Sequence, residues 1–165
     1  LIRTGLNIVT DGISMDAPPK SSLHLYSHTD QEETNLGIFC QDWGYLPIQE
    51  VDPLLKKNAF FFYDTEGPRW TSGLLVQGAP GAWDILYLYV KEAYRGQGKA
   101  RDLLFFMTRF LTEKDPGASL FLEVRPSNHR AIQIYEAFGL KKISIRKSYY
   151  SNGEDAWVYL GNSSP

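Results

Sequence analysis

The sequence predicts a single α/β domain, and three observations carry that expectation. NAFFFYDT (58–65), TSGLLVQG (71–78) and WDILYLYV (83–90) are β-branched and aromatic runs separated by EGPR and APGA turns, the pattern of an antiparallel meander. From Ala100 the period changes, and Ala100, Leu103, Leu104, Met107 and Leu111 recur at helical spacing. Composition agrees, since 165 residues with 43% hydrophobic and 22% charged side chains suffice for one ordinary globular core.

In chain order, residues 1–22 are expected to form an N-terminal tail or extra segment ahead of a domain spanning 23–162. LIRTGLNIVTDGIS is too polar and too interrupted by glycine for a secretory leader. Pro18 and Pro19 make DAPPKSS a loop. LHLY (23–26) reads as a first short strand, and SHTDQEETNLGIFCQDW (27–43) as a helix opened by cap-type residues. GYLPIQEVDPLLKK (44–57), interrupted by Pro47 and Pro53, reads as a loop with a short helical piece. After the meander, the Ala100 helix ends near KDPG (114–117), and SLFLEVR (119–125) is a central strand. NHRAIQIYEAFGL (128–140) is a helix with Ala131, Ile134, Tyr135 and Phe138 on one face and Gly139 as its C-terminal stop. KKISIRKSYY (141–150) and DAWVYLG (155–161) are strands joined across SNGE.

Several function classes are disfavoured. A formal net charge of −2 supplies no strong basic field for nucleic acid or an anionic membrane. No apolar run approaches the roughly 20 residues that span a bilayer. Cys40 is the sole cysteine, which excludes an internal disulfide and fits a reducing, cytoplasmic setting. It is expected to be a structural thiol rather than a nucleophile. His24, His28 and His129 have no ligand-like spacing, so no metal is expected.

The most informative stretch is YRGQGKA (94–100), an arginine and two glycines ahead of the helix. A dinucleotide fingerprint would need a third glycine where Arg101 stands, and a P-loop would need Ser or Thr where Ala100 stands. What remains is strand, glycine turn, helix, strand, helix, with the amides of Gly96, Gln97, Gly98, Lys99, Ala100 and Arg101 able to converge on a pyrophosphate at the helix start. Taken alone, the glycine pair is equally compatible with a surface turn.

The stretch resembles the GNAT acetyltransferase superfamily, whose acetyl-CoA loop reads Q/R-x-x-G-x-G/A; Arg95, Gly98 and Ala100 occupy its three defined positions. The family's second motif is an Asn opening a helix that carries a Tyr seven residues on, and Asn128 and Tyr135 match it, with Gly139 following. Leu140 replaces the usual Phe. LEVRPSNHRAIQIYEAFGL and the later YY…GEDA segment further resemble protein N-terminal acetyltransferases, especially the bacterial type that acetylates the N-terminal alanine of a ribosomal protein. The resemblance covers roughly residues 70–161 and implies a GNAT domain with a mixed, mostly antiparallel sheet, flanked by helices and splayed at the acetyl-CoA cleft.

It also implies roles. Acetyl transfer to an amine needs a neutral amine, a stabilised oxyanion and a proton for the departing thiolate. A protein α-amine, with a pKa near ~7.7–8.0, is partly neutral at pH 7, whereas lysine near ~10.4 demands almost ~4 kcal/mol more. Glu123, pointing away from Leu122 and Val124, is the candidate base, acting directly or through water, and Tyr135 the candidate acid. Backbone amides at a bulge near Leu88, Tyr89 and Val90 are expected to serve the pantetheine arm and the oxyanion. Tyr149 and Tyr150, on opposite faces of a strand, are candidates for the acceptor wall, with packing against Trp157 the alternative; Tyr45 of DWGYLP (42–47) is expected opposite. The expected acceptor is a protein or peptide N-terminus, with a ribosomal protein as one candidate. A GNAT enzyme for lysine or small amines and a silent acyl-CoA-binding module are the rival readings.

Overall fold

A computed structural model describes residues 23–26, 36–37, 40–41 and 48–163. The tail 1–22, most of the 27–43 helix, His28 and Tyr45 with the rest of DWGYLP lie outside the described residues. Within them the order is β1 (Leu23–Leu25), α1 (Ile48–Leu55), β2 (Ala59–Glu66), β3 (Arg69–Ala79), β4 (Ala82–Val90), a short 3-10 turn (Glu92–Tyr94), α2 (Lys99–Lys114), β5 (Ser119–Val124), α3 (His129–Ala137), β6 (Lys141–Arg146) and β7 (Ala156–Asn162). The strands form one sheet in the order β1-β2-β3-β4-β5-β7-β6. All neighbours are antiparallel except β4 and β5, which run parallel because α2 crosses between them.

Both faces of the sheet are covered, and the meander residues divide between them by alternation. Phe62, Leu74 and Val76 pack with Leu103, Leu104, Met107 and Leu111 of α2 and with Ile132 and Tyr135 of α3. Phe61, Tyr63 and Leu75 face the other way, toward Val51 and Leu55 of α1 and toward Leu36 and Cys40. That second core explains why α1 runs through Pro53 rather than breaking there: Val51 and Leu55 are both buried on it. Cys40 is buried too, and burial pushes its thiol up to about 11, the behaviour of a structural cysteine.

Two sequence expectations need adjustment. The helix over 128–140 buries Ile132 with Tyr135, while Ala131, Ile134 and Phe138 pack against the core only partly buried. The final hairpin is shorter than its strand-like residues suggested, since β6 ends at Arg146 and Ser148 takes φ 49, which an extended strand does not allow. Every residue of β6 is exposed, as suits an edge strand rich in Lys and Arg.

The feature that positions the site is the brevity of the parallel pairing. β4 and β5 pair only at Ala82–Ser119, Trp83–Leu120 and Asp84–Phe121. Beyond Asp84, β4 continues to Val90 while β5 veers away. The closed end of this wedge is stapled by Asp115, whose Oδ2 accepts from the Gly81 amide (2.7 Å) and from Trp83 Nε1 (2.8 Å).

Candidate active site

Where β5 leaves β4, a cleft of about 710 Å³ opens between the end of β4, the glycine turn and α3. Leu88, Tyr89, Val90, Arg95, Gly96, Gly98, Lys99, Ala100, Arg101, Asn128 and Tyr135 line it, so eleven of the sequence-predicted positions meet in one space. On their other side Leu88, Tyr89 and Val90 pair with Leu74, Gly73 and Ser72 of β3, and alternate backbone groups point to the edge that β5 has vacated. The bulge itself falls earlier than expected: the register shifts between Leu75 and Val76, leaving Leu86 unmatched. The free edge at 88–90 thus arises from strand divergence.

The glycine turn is built for a close anionic guest. Gly96 and Gly98 both take φ +80, a conformation that side chains with a Cβ resist. Gly98 is the N-cap of α2 and supplies no side-chain cap, which leaves the first amides of the helix for a ligand. Arg95 braces the turn rather than reaching into it, with Nε donating to the Val90 carbonyl (3.1 Å). The Gln97 side chain donates back to the Ala93 carbonyl (3.2 Å) and is not part of the cleft lining.

Lys99 offers its backbone to the turn while its side chain goes elsewhere. Its Nζ lies 2.6 Å from Asp64 Oδ2 on β2, and the two side chains are 14% and 3% exposed. The ammonium is thereby directed to the sheet, leaving its backbone as the part suited to a phosphate. Arg101 bonds Asp102, while Arg130, which sequence reading missed, stands near Gly96 on the cleft wall.

Asn128 caps α3 by accepting from the Ala131 amide (3.2 Å). Tyr135, one helical turn deeper and then another, is only 8% exposed, and burial, aided by the nearby Tyr150 phenol, pushes it up to about 12. It is therefore protonated at neutral pH, the state an acid requires. Glu123 sits on the β5 face opposite Leu122 and Val124, as the alternation predicted. It does not line the cleft proper; its carboxylate pairs with Arg146 of β6 at 3.3 Å.

Tyr149 and Tyr150 lie in the turn after β6, so strand alternation does not separate them; their rings meet edge to face at 5.1 Å. Neither occupies the face of Trp157, over which Lys142 lies instead. Tyr150 receives the Arg125 guanidinium on its ring at 3.6 Å, and both Tyr135 and Glu123 are close enough to share its electrostatic environment. No sequence motif singled out Arg125, Arg146 or Asp64; each becomes visible only when the strands are laid side by side. Among the described residues no cluster of three or more His, Cys, Asp or Glu could hold a metal, and no helix is long and apolar enough to cross a membrane.

A parted parallel pair with a glycine turn at its mouth and a buried phenol on the following helix defines an acetyltransferase class of fold. The family described as "Acetyltransferase (GNAT) family" matches residues 57–140, and the chain belongs to it. Among individual relatives, the N-alpha-acetyltransferase of Saccharolobus solfataricus is 36% identical over 117 residues, covering 71% of this chain and 55% of that protein. The ribosomal-protein alanine N-acetyltransferase of Escherichia coli is 36% identical over 100 residues, covering 54% of this chain and 67% of that protein. The chain spans about half the length of the archaeal relatives it matches. The crystal structure of the Escherichia coli enzyme superposes with a TM-score of 0.74 at 24% identity, over 87% of this chain and 95% of that one, so the fold is shared. An Arabidopsis thaliana protein solved with acetyl-CoA gives 0.71 at 13% identity, over 86% and 98%.

Proposed function

We propose that this chain transfers acetyl from acetyl-CoA directly to the N-terminal α-amine of a protein or peptide. The observation that carries the reading is the protonated, buried Tyr135 on the wall of a cleft whose mouth is the Gly96–Gly98 turn. The residues present fit acetyl-CoA: positive-φ glycines and uncapped helix amides suit a diphosphate, and the vacated β4 edge suits an amide-bearing arm. When bound, the coenzyme supplies an activated thioester.

The chain's own residues do the rest. The 96–101 amides hold the diphosphate, and the 88–90 edge aligns the arm along β4. Tyr135 donates its proton to the departing sulfur. Glu123, across the site, receives the proton shed by the amine, through water where the gap requires it. An α-amine near ~8 loses that proton easily at neutral pH, so a half-buried carboxylate paired with Arg146 is base enough. The names of the relatives support an N-terminal acceptor, and a ribosomal protein with an N-terminal alanine is the leading candidate.

Peptide-library acetylation read by mass spectrometry tests this, with free and blocked N-termini and internal lysines in the same pool. Acetyl should appear on free α-amines alone. Modification confined to lysine would replace this reading with the side-chain enzyme, and coenzyme binding without turnover on any amine would replace it with the silent module.

A further inference from the structure

The turn between β6 and β7 is fastened to the rest of the site chiefly through the Glu154 carboxylate. After β6 the chain folds on itself, with the Tyr150 amide donating to the Glu154 carbonyl (3.0 Å) and the Gly153 amide to the Tyr150 carbonyl (2.8 Å). Glu154 then reaches out of the turn. Its Oε2 accepts from Arg125 Nη1 at 2.9 Å and its Oε1 from the Ser127 amide at 3.1 Å. Asn152 Oδ1 accepts from the same Arg125 nitrogen (3.0 Å) and from the Glu154 amide (3.2 Å), which closes the clasp. The hydrogen bonds from Ser127 and Arg125 hold the Glu154 carboxyl down near about 2, so it stays ionised at any working pH.

Both ends of this clasp matter to chemistry. Arg125 and Ser127 sit in the connection between β5, which carries Glu123, and Asn128, which caps the helix carrying Tyr135. On the turn side, Arg125 is stacked on the Tyr150 ring at 3.6 Å. Tyr150 is within electrostatic reach of both Glu123 and Tyr135, and its ring lies on Arg125, which follows Glu123 and Val124 along the chain. An amine that met a thioester beside Tyr135 with Glu123 as its base would be received next to this ring.

We propose that Glu154 is a positioning residue for the acceptor: it clamps the turn to Arg125 and Ser127 and so sets Tyr150 in the path of the incoming N-terminus. The inference rests on the acetyl-transfer reading and deepens it. Glu154 touches no reacting atom; it acts through Arg125 and Tyr150. The coenzyme side has supports of its own, with Arg95 and Gln97 donating to the Val90 and Ala93 carbonyls and Asn128 capping α3.

Steady-state kinetics with each substrate varied in turn, on Glu154→Ala and Glu154→Gln, test the assignment, with thermal melts to fix the folded fraction. Glu154→Ala loses two charged hydrogen bonds and should raise KM for the acceptor peptide about tenfold, with KM for acetyl-CoA within about twofold of native. Glu154→Gln keeps an oxygen for the Ser127 amide and should fall between. A lower apparent kcat with unchanged acceptor KM would mean the clasp only stabilises the fold, and would overturn the proposal. A parallel rise in both KM values would overturn it as well. A native chain that acetylates no free N-terminus would remove the proposed function and this inference together, whereas an active native chain matched by Glu154→Ala removes the inference alone.

Discussion

The Asp64–Lys99 pair gives the sharpest stability prediction. Its oxygen and nitrogen are 2.6 Å apart, the carboxylate is 3% and the ammonium 14% exposed, and Asp64 Oδ1 has no hydrogen-bond partner. Breaking a buried pair by deleting one member leaves a desolvated charge and costs about 3–5 kcal/mol. Asp64→Leu strands the ammonium, whose long stem lets it turn into the cleft, so the lower end applies, about 3 kcal/mol and a Tm drop of roughly 6–12 °C. Lys99→Met strands the more deeply buried carboxylate, and the upper end applies, about 4–5 kcal/mol. Replacing both by apolar groups removes the stranded charge, and the double variant should return to within about 1 kcal/mol of native. Urea unfolding at constant m-value reads all three. Additive losses in the double variant, or a loss under about 1 kcal/mol in both singles, would refute the claim that these charges are desolvated and coupled.

Three further outcomes concern the reaction. Tyr135→Phe removes the proton donor but not the ring, so kcat should fall by roughly 10²-fold or more while acetyl-CoA affinity by calorimetry stays near native; an unchanged kcat would take Tyr135 out of the mechanism. Gly98→Val places a branched side chain at φ +80, and titration should show coenzyme binding lost; tight binding would dispose of the loop as a phosphate cradle. The pH profile of kcat/KM for a peptide should rise with a midpoint near ~8, set by the α-amine, and show no falling limb below about pH 10. Because the Tyr135 pKa is raised from 10.0 to about 12 in the fold, the stability of its neutral form is complete below pH 10 and is lost as pH climbs toward 12; a descending limb centred between 8 and 9 would contradict its role.

What could be read from the sequence alone was whatever depends on neighbours along the chain. The three runs of the meander, the helical spacing from Ala100 and the Asn128-to-Tyr135 interval are local patterns, and each lies where the pattern put it. The coenzyme side of the site was legible for the same reason, being one turn and one helix. Partners brought together by the sheet were not. Asp64 reaches Lys99 from 35 residues away, and Glu154 reaches Arg125 from 29. The Lys99 amide was legible as part of the phosphate turn, but the destination of its side chain, Asp64 in the sheet, was not. Tyr149 and Tyr150 looked like alternating strand residues, because tyrosine favours strands, but the left-handed Ser148 ends the strand before them. The splay was expected from the resemblance, but no residue type announces that the two strands stop pairing after Asp84 and Phe121.

The Asp115 staple has a mechanical meaning. It joins the end of α2 to the Gly81 amide and Trp83, and nearby the Ser119 amide donates to the Gly81 carbonyl and the Ser163 amide to that of Ala118, so these ties gather at the narrow end of the wedge. The two diverging strands thus resemble the boards of a book glued along its spine. Opening of the broad end to admit a bulky nucleotide leaves the binding edge intact, and amide exchange around Leu88–Val90 should run faster than around Trp83 and Leu120.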